Sequence, residues 1–307
     1  MNEGKVVVIG SYNVGLSMKG QRFPRPGETF AGDQFFEGPG GKGSNQAIAA
    51  SCFGAKTAFV GCVGADRYGR DALEMYKKYG IGTEAVRTDP NAHTGMAFIM
   101  IDRSGQNMIE IVSGANLSLC EKDIDGAAET MASACVVGFQ LEGSVDMVDY
   151  GLRKARSLGV KTLLDPAPAI KLDERLYPLI DYIKPNETEA TLLTDIAVTD
   201  AENAAKAGRW FLDRGVGHAI ITLGARGSVL VTGKASTFFP APKVTAVDST
   251  GAGDIFSGAF MTALSQNKDI AEAIVFASHA AALSTTRLGV VESIPELEEV
   301  MKFMAGQ

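Results

Sequence analysis

Cysteine, tryptophan and histidine are scarce in this chain of 307 residues, which has four Cys, one Trp and three His. Cys52, Cys62, Cys120 and Cys135 are scattered without C-x-x-C spacing, so neither a zinc site nor a disulfide framework is indicated. None of His93, His218 and His279 belongs to a nucleophile motif such as G-x-S-x-G. Basic runs are missing: no Lys/Arg stretch exceeds two residues, and 29 basic residues stand against 36 acidic ones, a net charge of −7. A nucleic-acid partner, which needs a basic patch, is not expected. Long apolar runs are absent too. Stretches such as Val6–Val7–Val8–Ile9 fall far short of the roughly 20 residues needed to span a bilayer. The opening MNEGKVVVIGS holds an apolar run too brief for a signal-peptide core. With 35 Gly and 11 Pro the chain is also too poor in both for collagen-like or low-complexity material. What is present is 46% apolar residues on a length that can bury a sizeable core. A soluble, cytoplasmic, globular protein is expected.

Short apolar runs alternate with amphipathic stretches. Lys5–Ile9, Thr57–Val63, Ala134–Gly138, Val160–Leu164 and Ala219–Leu223 suit strands buried on both faces. Between them lie helical patterns with glycine stops: Ser44–Ala50 before Gly54, Asp71–Tyr79 before Gly80, Ser144–Leu158 before Gly159, and Asp200–Arg214 before Gly215. Such alternation predicts an α/β fold with a mostly parallel sheet, right-handed crossovers and helices on both faces. Two regions depart from it. Residues 12–38 carry Pro24, Pro26 and several Gly, with loose alternation over Thr29–Phe36, and residues 94–112 read as a hairpin turning at Arg103–Gly105. Strands patterned for one buried face predict a small separate sheet. The expectation is a single domain over 1–307, with a lid formed by about 12–38 and 94–112.

Four motifs could carry chemistry. In Asp248–Ser249–Thr250–Gly251–Ala252–Gly253–Asp254, a strand-like Lys243–Val247 leads to a helix pattern, Ile255–Leu264. Gly251, Ala252 and Gly253 let backbone N–H groups approach a phosphate at a helix N-terminus. A carboxylate repels bound phosphate, so Asp254 makes sense there as acceptor of a proton from an attacking hydroxyl; the plainer reading is a helix cap. Gly38–Pro39–Gly40–Gly41–Lys42–Gly43–Ser44–Asn45–Gln46 satisfies G-x-G-x-x-G but lacks the preceding strand of a dinucleotide fingerprint. Lys42 is followed by Gly43, so it is no P-loop. The backbone, Lys42 and Asn45 offer donors to a polyhydroxylated ligand, or the segment is a surface turn capped by Ser44. In Lys184–Pro185–Asn186–Glu187–Thr188–Glu189, after a strand-like Leu179–Ile183, Asn186 and Glu189 share a helix face. They could orient water around Mg²⁺ or form a capping box. Thr222–Leu223–Gly224–Ala225–Arg226–Gly227 is a strand ending in a Gly-rich turn suited to a nucleotide. His93, His218 and His279 read as structural or surface residues, with an adenine pocket as the other option for His279. Trp210 reads as core.

These four elements, in this order, resemble the ribokinase (pfkB-type) carbohydrate kinase family from Val6 to about Pro295. Gly40–Gly41–Lys42–Gly43 with Asn45 is similar to its N-terminal signature, and Asp248–Asp254 to its C-terminal one. The resemblance implies a Rossmann-like sheet, a β-sheet lid over a sugar, ATP on the C-terminal half, and pairing of two subunits through their lids as a homodimer. It implies ATP-dependent phosphorylation of a sugar's primary hydroxyl, with Asp254 as base and Gly251–Gly253 as anion hole. Asn13, Gly41, Lys42, Asn45 and Glu142 would hold the sugar, with Gly15 beside them. Asn186, Glu189, Thr222, Gly224, Gly227, Gly253 and His279 would surround the nucleotide and Mg²⁺. Asp248, Thr250, Ser284, Arg287, Gly289 and Ser293 would hold K⁺, mostly through backbone carbonyls.

One departure matters. The family typically reads G-S-x-N-x-D near its start, where the Asp binds sugar hydroxyls; here Gly10–Ser11–Tyr12–Asn13–Val14–Gly15 puts glycine in its place. Ribose is therefore expected to be a poor substrate unless Glu110 or a main-chain carbonyl substitutes. A hexose is another candidate, as is a nucleoside, for which Tyr12, Phe35 or Phe36 would have to supply an aromatic pocket. Outside kinases, the rival readings are a non-catalytic sugar-binding protein of the same fold and a dinucleotide-dependent oxidoreductase.

Overall fold

The computed structural model describes residues 4–306. Residues 1–3 and 307, the ends of the expected domain, lie outside the described residues. In chain order the elements begin with β1 (Lys5–Ile9), β2 (Asn13–Lys19), β3 (Gln34–Gly40), α1 (Lys42–Cys52), β4 (Lys56–Gly64), α2 (Arg67–Lys78) and β5 (Gly82–Asp89). The hairpin β6 (Gly95–Ile101) and β7 (Asn107–Val112) precedes short helices α3 (Glu121–Gly126) and α4 (Ala128–Ala132). Then come β8 (Val136–Phe139), α5 (Val145–Ser157), β9 (Lys161–Leu164), β10 (Tyr182–Ile183), α6 (Glu187–Thr194) and α7 (Ala201–Leu212). The chain closes with β11 (His218–Thr222), β12 (Gly227–Val231), β13 (Ser236–Pro240), α8 (Ala252–Ser265), α9 (Ile270–Ser284) and α10 (Leu297–Ala305).

Nine strands form the central sheet in the order β13-β12-β11-β10-β9-β8-β1-β4-β5. It is parallel from β11 to β5, with β12 and β13 added antiparallel. Its inner strands lack polar alternation because both faces are covered: Val7 and Ile9 of β1 enter one core layer, Val6 and Val8 the other. Gly54, Gly80, Gly159 and Gly215 all end their helices with left-handed φ between 68° and 97°. Among the described residues no helix is long and apolar enough to cross a membrane.

The second sheet is β3-β2-β6-β7, assembled from the two irregular regions. It is mixed: β2 pairs antiparallel with β3 but parallel with β6. Residues 29–33 stay outside it, since the Asp33 amide already bonds the Lys19 carbonyl and ladder pairing starts at Gln34.

Three local expectations are corrected. Helix α1 starts at Lys42, with Gly41 rather than Ser44 as N-cap, because Gly41 adopts φ +89° and lies so close to Ser11–Asn13 that any Cβ would sit 2.7–2.9 Å from their backbone. Residues 243–247 form no strand, and the amides of Val247 and Asp248 bond the Thr285 carbonyl instead of a ladder partner. Leu179–Ile183 reduces to the two residues of β10, preceded by a 3-10 turn, Glu174–Leu179, that includes Pro178 with no N–H to give a ladder.

Helices α1 and α8 lie against each other through small residues. A Cβ on Gly258 would come within 2.6 Å of the Gln46 carbonyl and 2.7 Å of the Ala49 Cβ. Gly258→Ala is expected to force the helices apart and lower stability by about 1–3 kcal/mol, the usual range for overpacking. Urea unfolding reads the change; an unaltered midpoint would mean the helices separate at no cost.

Candidate active site

In the central sheet β1 is flanked by β8 on one side and β4 on the other, so the chain winds in opposite directions from it, and ligands in such sheets bind beyond the strand ends at this point. Polar residues collect there: Ser11 after β1, Gln140 after β8, Asp165 after β9 and Lys184 after β10, all buried. The N-termini of α1 and α8 bring Lys42, Asn45 and Asp254 to the same place.

Asp254 is only 4% exposed, and its carboxylate caps nothing. Its Oδ2 accepts from Asn45 Nδ2 at 2.8 Å, its Oδ1 from Gln46 Nε2 at 3.5 Å, and Lys42 Nζ stands 3.9 Å from Oδ1. The helix-cap reading of Asp254 is thereby excluded. Behind it lies a buried ion pair, Lys184 Nζ to Asp165 Oδ2 at 2.9 Å. The same Asp165 oxygen accepts from Gln46 Nε2 and Ser257 Oγ, each at 3.0 Å. Lys184 also donates to the Gly253 carbonyl at 3.0 Å, tying the pair to the first turn of α8. Gln140 Nε2 donates to Gln46 Oε1 at 2.7 Å, which fixes the orientation of that amide. Burial pushes the Asp254 carboxyl above the usual range; Lys42 opposes this and the Asp165 charge adds to it.

Glu142 is the second hub. Its Oε2 accepts from Ser11 Oγ at 2.5 Å, from the Lys42 amide at 2.8 Å and from Asn13 Nδ2 at 3.4 Å, while burial raises its pKa. Asn13 is oriented in turn by Asn116, whose Nδ2 donates to Asn13 Oδ1 at 2.9 Å. Asn13, Gly41, Lys42, Asn45 and Glu142 thus meet around one space with Asp254. Gly15 lies on β2 in register with Gly38 and Ala97. Glu110, opposite Phe98 in the neighbouring row, points to the other face of the pleat and cannot stand in for a carboxylate at Gly15. Phe35 lies on that other face as well, and Tyr12 is buried edge-on to Tyr76, so of the three proposed aromatics only Phe36 shares the face of Asn13.

The remaining residues fall in two groups. Asn186 and Glu189 form the capping box of α6, with bonds of 2.9 and 2.8 Å, and Asn186 bridges to Thr222 beside the Gly224 turn that leads to Gly227. Burial raises the Glu189 pKa, and so does nearby Asp165. In His279, Nδ1 bonds the Val275 carbonyl at 2.8 Å and the ring meets Phe303 edge-on. Asp248 gathers Thr250, through its amide (2.9 Å) and hydroxyl (2.6 Å), and the Gly289 amide (3.2 Å). Ser284 and Ser293 hydroxyls donate to nearby carbonyls, and Arg287 turns its guanidinium to Glu299. Among the described residues no three His, Cys, Asp or Glu side chains cluster to hold a metal.

Comparison with known proteins decides the class. Residues 3–297 match the pfkB family carbohydrate kinase. The chain belongs to this family. It is 40% identical over 299 residues to a ribokinase of Haemophilus influenzae, covering 97% of this chain and 98% of that one. It is 34% identical to a deoxyribokinase of Salmonella typhi, over 98% of each. The structure of Arabidopsis thaliana ribokinase complexed with ribose and ATP superposes with a TM-score of 0.92 at 31% identity, covering 97% of this chain and 98% of the other. This pfkB carbohydrate kinase is a ribokinase-like enzyme, and the oxidoreductase reading falls. Asp66, the acid that follows β4, spends its carboxylate on the Gly69 amide and on Thr94.

Sequence reasoning missed Ser11, Gln46, Asn116, Asp165 and Ser257. Asp165 had a signal, an acid directly after a buried strand at the sheet's carboxyl edge; Asn116 had none.

Were Asp254 a catalytic base it would have to be ionised, and activity would be present above its raised pKa and lost below it. The acid limb of kcat/KM is therefore expected above the ordinary aspartate value of about 3.9. Lys42→Met removes a charge that favours ionisation and should move the limb to higher pH. A pH–rate series on both proteins reads it, and coincident limbs would contradict the electrostatic role of Lys42.

Proposed function

We propose that the protein transfers the γ-phosphate of ATP to a primary hydroxyl of a small sugar, with Asp254 as general base. The observation that supports this best is a buried carboxylate at the N-terminus of α8, held by Asn45, Gln46 and Lys42 and left uncommitted to any backbone cap. Asp254 takes the hydroxyl proton as the sugar oxygen bonds to the γ-phosphorus. The bond from that phosphorus to the β–γ bridging oxygen breaks, and ADP leaves with the electron pair.

Around that step each residue has a distinct task. Asn13, Gly41, Lys42, Asn45 and Glu142 hold the sugar. Asn45 Oδ1 is buried without a partner, an acceptor suited to a sugar hydroxyl. The amides of Gly251–Gly253, with the positive end of α8, stabilise the equatorial phosphoryl oxygens. The Ala252 amide here donates to the Ser249 carbonyl at 3.2 Å and has to exchange that partner for phosphate. Asn186, Glu189, Thr222, Gly224, Gly227 and His279 line the nucleotide side.

The donor set fits the implied cations. Glu189 is a half-buried carboxylate with only Oε2 bonded to the Asn186 amide, a hard oxygen donor of the type Mg²⁺ takes directly or through water. Mg²⁺ would supply charge neutralisation on the phosphates. The Asp248 carboxylate, with backbone carbonyls of Thr250, Ser284, Arg287, Gly289 and Ser293, would supply the oxygen donors that K⁺ takes, and the ion would stiffen the loop before Gly251. The small sheet, with the segments 12–38 and 94–112, acts as a lid that excludes water from the phosphoryl group. It exposes Phe35, Phe98 and Met108 on one face and Phe36, Ile109 and Ile111 on the other, an apolar surface that supports pairing of two subunits through their lids. Catalysis in the cytoplasm completes the reading.

Asp254→Asn is expected to keep sugar and nucleotide binding while cutting turnover by about 10²–10⁴. Calorimetric binding with steady-state rates checks it; unchanged turnover would remove the base assignment. The second prediction concerns Gly15, whose missing carboxylate deprives ribose hydroxyls of a charged acceptor. Losing such a bond can cost about 10⁴ in discrimination, against roughly 10–200-fold for apolar shape. A Cβ at Gly15 would meet only ordinary contacts, 3.5 Å to the Gly38 carbonyl and 3.9 Å to Ile99, so Gly15→Asp meets no clash at its Cβ. It should raise kcat/KM for ribose at least about tenfold. A sub-millimolar KM for ribose with ordinary kcat in the unmodified protein would show that a main-chain group compensates.

A further inference from the structure

We infer that Arg287 and Glu299 are a positioning pair that clamps the loop 285–293 against the N-terminus of α8, so that α10 sets the geometry of the phosphate-binding turn. The inference rests on the phosphoryl-transfer reading for its effect on rate, though not for its effect on structure.

The mechanical chain is explicit. Arg287 grips Glu299 with both ends of its fork, Nη2 to Oε1 at 2.5 Å and Nη1 to Oε2 at 3.3 Å, an arrangement that fixes direction as well as distance. Glu299 is itself held in the first turn of α10, where its Oε2 accepts the Glu296 amide at 2.8 Å. The clamp therefore has a fixed end. On its other side the loop touches the α8 entry at three places. The Thr285 carbonyl accepts the Val247 and Asp248 amides at 2.7 and 3.0 Å. The Gly289 amide donates to Asp248 Oδ2, whose partner oxygen holds Thr250. Val290 packs against Gly251, the left-handed N-cap of α8, so closely that a Cβ there would lie 2.4 Å from Val290 Cγ1. Gly251 begins the phosphate-binding turn, three residues before Asp254. The same loop also reaches the small sheet, since Glu292 Oε1 lies 3.9 Å from where a Gly38 Cβ would be.

An ion pair this exposed contributes little to global stability, about 0–1 kcal/mol for typical pairs. Its worth is directional. Loosening it frees Val290 and Gly289, and the amides of Gly251–Gly253 lose their fixed aim, which penalises the transition state more than substrate binding.

The test uses Arg287→Gln, Arg287→Lys, Glu299→Gln and the double Gln variant. Gln at 299 preserves the α10 capping box, and Arg287→Gln leaves α10 untouched should Glu299→Gln fold poorly. Each single Gln variant is expected to lower kcat about three- to tenfold with the sugar KM within about twofold, the size typical of coupling through packed networks. The double variant should be no worse than either single, because both break one interaction, and Arg287→Lys, which keeps the charge but not the fork, should recover only part of the rate. Hydrogen exchange of amides 248–254 in the ligand-free protein should quicken in both Gln variants. Unchanged exchange there, or rate losses that multiply in the double variant, overturns the inference. Quickened exchange in the Gln variants, with a wild-type protein that phosphorylates no sugar, would uphold the clamp and sink the kinase reading alone.

Discussion

Burying like charges at the carboxyl edge of a parallel sheet is the constraint around which this molecule is organised. Asp165 and Asp254 are 2% and 4% exposed, and an uncompensated carboxylate there would cost several kcal/mol. Compensation comes from two lysines on different elements: Lys184 after β10 against Asp165, and Lys42 at the start of α1 facing Asp254. Gln46 bridges both acids, and Gln140 fixes which way Gln46 presents its amide. Three strand ends and two helix N-termini must therefore dock in one arrangement before the charges are satisfied. The glycines follow from the same demand, because the start of α1 can approach residues 10–13, just after β1, this closely only with no side chain at Gly41 and Gly43.

The arrangement separates two tasks. Asp165 takes three donors on its Oδ2, orients Lys184 and raises the proton affinity of Asp254. Asp254 keeps bonding capacity free. A carboxylate so placed can accept a proton at the moment a hydroxyl attacks, and the positive end of α8 beside it favours an anion.

Much of this was legible in the sequence, and the limits are instructive. The parallel sheet followed from uninterrupted apolar runs, and the two glycine-rich signatures named Lys42, Asn45 and Asp254 because small residues at a helix start announce close approach. Asn13 and Glu142 entered only through resemblance to the family. Asp165, Gln46 and Asn116 stayed hidden, since their importance lies in pairings across 119, 208 and 103 positions that no local pattern encodes. Residues 243–247 misled for the opposite reason: the pattern is strand-like, but the amides at their end are claimed by the Thr285 carbonyl. The clamp on the 285–293 loop is tertiary in the same sense.

The central claim is phosphoryl transfer from ATP to a primary sugar hydroxyl, and phosphorus NMR of the products tests it most directly. Incubated with ATP, Mg²⁺ and a panel of pentoses, 2-deoxyribose, hexoses and nucleosides, the protein should yield one phosphate ester per ADP with at least one sugar, its phosphorus coupled to the two protons of a CH₂ group. Release of inorganic phosphate alone, an ester on a secondary hydroxyl, or no consumption of ATP with any acceptor would contradict the account.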